Sequence, residues 1–160
     1  MKIESDEIIY RRATVKDANA MSNLRVRFLK ELFHHPFDKE SDNLRKDLYE
    51  YFLESIPKSD FVAYLAEYRG KIIGTSGMVI WRRPPKYGIK QGRSGYILNM
   101  YTLPEARKKG ICTRLLHELI KEAKALGLTH LHLHSSEEGM SIYRKIGFID
   151  PLQKELELNL

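Results

Sequence analysis

"YILNMYTLPEARKKGICTRLL", residues 96–116, is the stretch on which the fold turns. Its first half is rich in aromatic and branched residues, the composition of a strand. Pro104 and Glu105 interrupt it, and from Ile111 apolar residues recur at Leu115, Leu116, Leu119, Ile120 and Ala123, a helical stripe. The unit reads as strand, tight connection, helix. A helix N-terminus carries unpaired amides and a partial positive charge, so it attracts phosphate. Gly110 lets the backbone approach a ligand closely, and Arg107, Lys108 and Lys109 add charge beside it. The same pattern also fits a plain strand-to-helix turn with a solvated basic edge. Neither GxxxxGKS, GxxxxGKT nor GxGxxG occurs, which excludes a Walker loop and a dinucleotide fingerprint.

With 160 residues, 42% of them hydrophobic, the chain suits a single domain, 1–160, with a real core. Its charged fraction of 30% and mean hydropathy of -0.43 point to a soluble protein. No apolar run approaches the roughly 20 residues that span a bilayer. "MKIESDEIIYRRAT" lacks the apolar core of a signal peptide. Cys112 is the single cysteine, which excludes an internal disulfide and suggests a reducing, cytoplasmic setting. A net charge of +6 suits nucleic acid or a polyanionic cofactor equally; it steers partners and does not set fold.

"IIYRRAT" reads as a first strand, and Thr14 with Asp17 resembles a capping box. Ala18, Met21, Leu24, Phe28, Leu29 and Leu32 then mark a helix that stops near Pro36. A second helix carries Leu44, Leu48, Tyr51, Phe52 and Ile56. Two strands meet at Arg69-Gly70-Lys71, a hairpin signal. After the strand–helix unit, "LTHLHLHS" alternates as a strand and "EEGMSIYRKIG" is a short helix closed by Gly147. "FIDP" and "KELELNL" read as two closing strands, the last a candidate for pairing across a homodimer. The order predicts an α/β (α+β) domain. Its mixed, mostly antiparallel six- to seven-stranded sheet carries helices on both faces, with one parallel pair spanning 95–135.

Arg107-Lys108-Lys109-Gly110-Ile111-Cys112 resembles the acetyl-CoA signature of the GNAT superfamily of N-acetyltransferases. That signature runs glutamine or arginine, two free positions, glycine, one free position, then glycine or alanine. Arg107 and Gly110 match, and Cys112 departs while remaining small. "SIYRKIGF", 141–148, resembles the family's segment with a small residue, a tyrosine and a closing Gly-Phe. The element order resembles the GNAT fold over nearly the whole chain.

The resemblance implies an acetyl-CoA-dependent N-acetyltransferase that acylates a primary amine by direct transfer in a ternary complex. It implies that amides of Arg107, Lys108, Lys109, Gly110, Ile111, Cys112 and Thr113 hold the CoA pyrophosphate. Met100, Tyr101 and Thr102 would pair with the pantetheine arm, and Tyr143 would be the general acid to the departing thiolate. Asn99, Met100 and Tyr101 would sit where thioester meets amine. The acceptor expected is a small-molecule or peptide amine.

The amine's base is not readable, because strand 95–102 has no carboxylate or histidine. His34, His35, Asp38 and Glu40 cluster between the first two helices, in a region that often borders the acceptor in this family. Glu137 and Glu138 suit a helix start. His130, His132 and His134 alternate on one strand, the outer pair about 13 Å apart at about 3.3 Å per residue. They cannot all share one ion without bending, and no metal is expected. "WRRPPKYGIKQGR", 81–93, mixes aromatics with five Lys or Arg and reads as a loop over the acceptor site. Two rival readings stand: a non-catalytic CoA-binding sensor of the same fold, and a nucleic-acid-associated protein using that loop.

Overall fold

The computed structural model describes residues 3–36, 38–89 and 91–160; Met1, Lys2, Phe37 and Lys90, the last a lysine of the 81–93 loop, lie outside them. The chain opens with β1 (Ile9–Arg12), α1 (Ala18–Phe33) and α2 (Lys39–Ser55). It continues through β2 (Phe61–Tyr68), β3 (Lys71–Arg82), β4 (Arg93–Thr102), α3 (Ile111–Ala125), β5 (Leu131–Leu133) and α4 (Glu137–Ile146).

Local chemistry sets most of these boundaries. The Thr14 N–H donates to Asp17 Oδ2 at 2.8 Å, and Arg11 grips the same carboxylate with two bonds of 2.9 and 2.8 Å. A short turn at Val15–Asp17 then delivers α1. That helix ends where His34 turns left-handed at φ 53°. Asp38 caps α2, its Oδ1 accepting from the Ser41 N–H at 3.1 Å. Ser136 caps α4 by accepting from the Gly139 N–H at 3.3 Å, so Glu137 and Glu138 occupy the first turn rather than the cap. The β2–β3 hairpin turns through Arg69 and Gly70, at φ 50° and 77°, the two left-handed residues that a tight hairpin of matching twist needs.

The strands lie in sequence order, β1-β2-β3-β4-β5. The first four pair antiparallel, and β4 pairs with β5 in parallel. Val62, Met78, Ile80 and Ile97 face Leu116, Leu119 and Ala123 of α3 and Tyr143 of α4. On the opposite face Phe61, Ala63 and Leu65 pack against Ala18 and Met21 of α1 and Phe52 of α2. Helices therefore cover both faces, as the sequence predicts.

The sheet has five strands rather than six or seven. "FIDP" and "KELELNL" form no strand, and Leu156, Leu158 and Leu160 are 91%, 83% and 115% exposed. Their alternation of glutamate and leucine needs a long partner strand to bury the leucines, and β5 offers only three residues. Pro151 has no N–H to add to a ladder.

Gly77 sits where β3 passes over Phe61: a Cβ there would lie 2.5 Å from Cζ of that fully buried ring. Gly77→Val is expected to destabilise the fold by about 1–3 kcal/mol, read as a lower urea midpoint at unchanged slope. An unaltered midpoint would show that the ring moves aside freely.

Candidate functional site

β4 keeps β5 as a neighbour only from Gly95↔Leu131 to Ile97↔Leu133. Next comes a bulge. Gly77 pairs with Leu98 and Thr75 with Tyr101, so two steps of β3 oppose three of β4. Asn99, 3% exposed, sits in the bulge at φ 56°. Beyond it Tyr101 and Thr102 pair with β3 alone, and the edge that Met100 to Thr102 turn toward β5 is unpaired.

The far end of that edge meets the start of α3. The first bond within α3 runs from Arg114 N–H to Gly110 C=O at 3.0 Å, leaving the amides of Ile111, Cys112 and Thr113 without an intrahelical acceptor. No side chain caps this end. Among the described residues, no acceptor takes the amides of Lys108, Lys109 or Gly110 either. Lys108 and Gly110 are left-handed, at φ 63° and 75°. Alternating left- and right-handed backbone turns successive amides inward and builds an anion-binding concavity. A Cβ on Gly110 would meet nothing within 4 Å, so the space beside it is open.

Arg107 is tied differently. Its amide donates to Pro104 O at 3.3 Å, and its guanidinium bonds Thr102 O at 3.1 Å and pairs with Glu31. Glu31 also accepts from the Tyr101 hydroxyl. Burial and this carboxylate push the Tyr101 hydroxyl up to about 12, while Tyr101, Arg107 and Arg27 hold Glu31 below the usual carboxylate range despite the opposing effect of burial. Arg107 therefore braces the loop, and Lys108 and Lys109 carry the free charge.

Tyr143 lies beside the α3 N-terminus. It is 8% exposed, its ring stands edge-on to Phe148 at 5.9 Å, and Cys112 is its electrostatic neighbour. Burial raises its hydroxyl well above the ordinary tyrosine range, and the hydroxyl has no hydrogen-bond partner among the described residues. Burial likewise pushes the Cys112 thiol up to about 11.

The α1–α2 face of β3, β4 and β5 carries an aromatic wall. Trp81 stacks on Tyr96 at 4.7 Å, His132 packs on both, and Arg83 sits 4.2 Å from the Trp81 ring centre. Both His132 nitrogens are buried without partners, and burial with nearby Arg83 depresses the imidazole to about 4. It is a neutral wall residue at ordinary pH. His134 bonds the Tyr96 hydroxyl through Nδ1 at 2.7 Å and Glu155 through Nε2 at 2.5 Å. A tyrosine, a histidine and a carboxylate are thereby hydrogen-bonded in series. The 83–92 loop is closed by an Arg83–Gly92 bond of 2.8 Å and pinned to Thr129 at 2.9 Å.

The loop cluster between α1 and α2 has other duties. His35 pairs with Glu40 at 3.6 Å and Asp38 at 4.0 Å, and Asp42 pairs with Arg45 at 3.0 Å. Ligand atoms of His35, Asp38 and Glu40 lie within 4.8 Å of one another, all three exposed.

Residues 21–148 match the model of the acetyltransferase (GNAT) family. The chain belongs to this GNAT family. It is similar to a Clostridium acetobutylicum protein described as a predicted acetyltransferase and crystallised with acetyl-CoA, at 36% identity and TM-score 0.86, over 95% of this chain and 96% of that one. A GCN5-related N-acetyltransferase from Ralstonia eutropha shares the fold at 20% identity and TM-score 0.81, over 94% and 98% of the two chains. A ribosomal-protein-alanine N-acetyltransferase from Brucella melitensis does so at 16% identity and TM-score 0.70, over 95% and 99%. Among curated proteins the chain has no match. Among the described residues of this GNAT protein, no helix is long and apolar enough to cross a membrane.

Sequence reasoning missed Arg25, Glu31, Tyr96, His134 as a hydrogen-bond link and Glu155. Only Arg25 left a signal: it stands four residues after Met21 and three before Phe28, a charge on the apolar stripe of α1.

A thiol titrating near 11 holds little thiolate at neutral pH. Cys112 is expected to react with iodoacetamide at least about tenfold more slowly than free cysteine, measured by intact mass. A rate equal to that of free cysteine would show an open thiol.

Proposed function

We propose that this protein moves an acetyl group from acetyl-CoA to a primary amine, by direct transfer with both substrates bound. The observation that carries this reading is the meeting of two unsatisfied surfaces. The β4 edge at Met100–Thr102 lacks a partner strand, and it ends at the unfilled amides of residues 108–113. An extended arm with amide groups completes the first as an added strand would. A diphosphate suits the second. Met100, Tyr101 and Thr102 would hold the arm; Lys108, Lys109, Gly110, Ile111, Cys112 and Thr113 would hold the diphosphate, with Arg107 bracing their loop.

Acetyl-CoA supplies an activated thioester. The protein's own work is on protons. Tyr143, with its hydroxyl unpartnered and its pKa raised by burial, stays protonated and donates to the departing sulfur. The amine must be neutral to attack, and the Tyr96–His134–Glu155 series offers its proton a route outward. This answers the missing base in β4 that motivates the sensor reading.

Three outcomes test it. Gly110→Asp places a negative charge among the amides and an L side chain at φ 75°, and is expected to abolish calorimetric acetyl-CoA binding. Tyr143→Phe is expected to lower turnover about 10²-fold with little change in that binding; unaffected turnover would remove Tyr143 from the mechanism. Because the Tyr143 pKa is raised, its protonated form persists as pH rises. No alkaline loss of activity below about pH 10, the ordinary tyrosine value, should therefore trace to this residue, and the alkaline limb of a pH–rate profile should be the same in wild type and Tyr143→Phe.

A further inference from the structure

Arg25 is a side chain of this cleft whose chemistry the transfer mechanism leaves unused. It projects from α1 to the bulge of β4, where it donates through one guanidinium nitrogen to Asn99 Oδ1. It is half-buried, and Tyr96 of β4 and Tyr51 of α2 are its electrostatic neighbours. Burial lowers its pKa, the sign of a cation withdrawn from water without full compensation. A guanidinium has five N–H donors, and the neutral amide of Asn99 is the acceptor the structure gives it.

No carboxylate is among the electrostatic neighbours of Arg25, and those bonded around β4 are committed elsewhere. Glu31 serves Tyr101 and Arg107, and Glu155 serves His134. Among the described residues, none forms an ion pair with Arg25. A desolvated charge needs a partner or it costs stability. Arginine in particular presents a planar fork that fits carboxylate or phosphate oxygens two at a time. Around it stand Tyr96, the first member of the hydrogen-bonded series, and Asn99, adjoining the unpaired β4 edge.

We propose that the amine acceptor carries an anionic group, a carboxylate or a phosphate, and that Arg25 binds it while the amine faces Tyr96. This rests on the transfer reading above. The arrangement has a second benefit for catalysis. A cation beside the amine disfavours its protonated form, so the nucleophile is more often neutral. It also works against polycationic acceptors. The acids that would attract those, Asp38, Glu40 and Asp42, are taken up by a helix cap, His35 and Arg45.

The test has two arms. In the first, pairs of α-amino acids and their amides, and O-phosphoethanolamine with ethanolamine, are offered with acetyl-CoA. Wild type is expected to favour the anionic member by about 10- to 100-fold in kcat/KM, the worth of hydrogen bonds to a charged group. Which pair shows the larger ratio tells carboxylate from phosphate. Arg25→Gln should collapse that ratio, and Arg25→Lys, which keeps the charge without the fork, should retain part of it. Calorimetric acetyl-CoA binding by both variants reports that they are folded. Equal rates for anionic and neutral members in wild type, or a ratio untouched in Arg25→Gln, overturns the proposal.

The second arm needs no turnover. The Arg25 Nε–Hε resonance of labelled protein is followed while acetate or inorganic phosphate is added. A saturable shift that chloride does not reproduce supports the anion site, even if no amine is acetylated and the transfer reading fails. An indifferent resonance in a protein that does acetylate amines overturns the anion site and leaves transfer standing.

Discussion

The bulge at Asn99 sets three residues of β4 against two of β3, and the geometry of the cleft follows from that mismatch. Before it, Leu98 lies on the α1–α2 face; after it, Tyr101 lies on the same face, packed 5.7 Å from Phe28. An unbroken strand would have alternated them. The added twist also turns β4 away from β5 immediately after the Ile97↔Leu133 pair. The residue that absorbs the distortion is an asparagine, one of the few side chains that tolerates a left-handed backbone. Its amide group is bonded by Arg25, so the distorted backbone and the half-buried cation hold each other.

Charge in the cleft is sorted by the same packing. Two carboxylates tied to residues around β4 are each satisfied by the protein: Glu31 by Tyr101 and Arg107, Glu155 by His134. The charges left over are positive, and they sit at the two ends of the slot, near Lys108 and Lys109 and at Arg25. Part of the overall surplus of +6 is therefore placed along the slot. It gives the basic composition a more specific meaning than attraction to nucleic acid.

Features encoded by neighbours in sequence were legible. The Thr14–Asp17 box, the Arg69–Gly70 turn, the α3 stripe from Ile111 and the glycine at 110 each depend on contacts a few residues apart. The signature segment could be read because a loop between strand and helix concentrates its unpaired amides in consecutive residues. The closing strands were misread because the Leu156–Leu158–Leu160 alternation states a preference that only a partner strand can realise, and β5 is too short to supply one. The Tyr96–His134–Glu155 hydrogen-bond series was hidden for a different reason. Tyr96 and His134 are 38 residues apart and His134 and Glu155 are 21 apart, with no local pattern to link them. Arg25 was visible as a charge on an apolar stripe, but its meaning needed the bulge opposite it.

The strand order carries a consequence for how stability is distributed. Each strand lies beside its predecessor in the chain, and β2 to β4 form a meander, while β1 reaches β2 across the two helices α1 and α2. β5 alone arrives by a crossover, and it is held to β4 by three residue pairs where β3 and β4 share eight. The margin of the sheet that borders the cleft is thus its least cooperative part, a region able to open at a fraction of the cost of global unfolding. Breathing at that margin requires no dedicated hinge. It comes from the topology, which confines rigidity to the meander and leaves compliance where a ligand must enter.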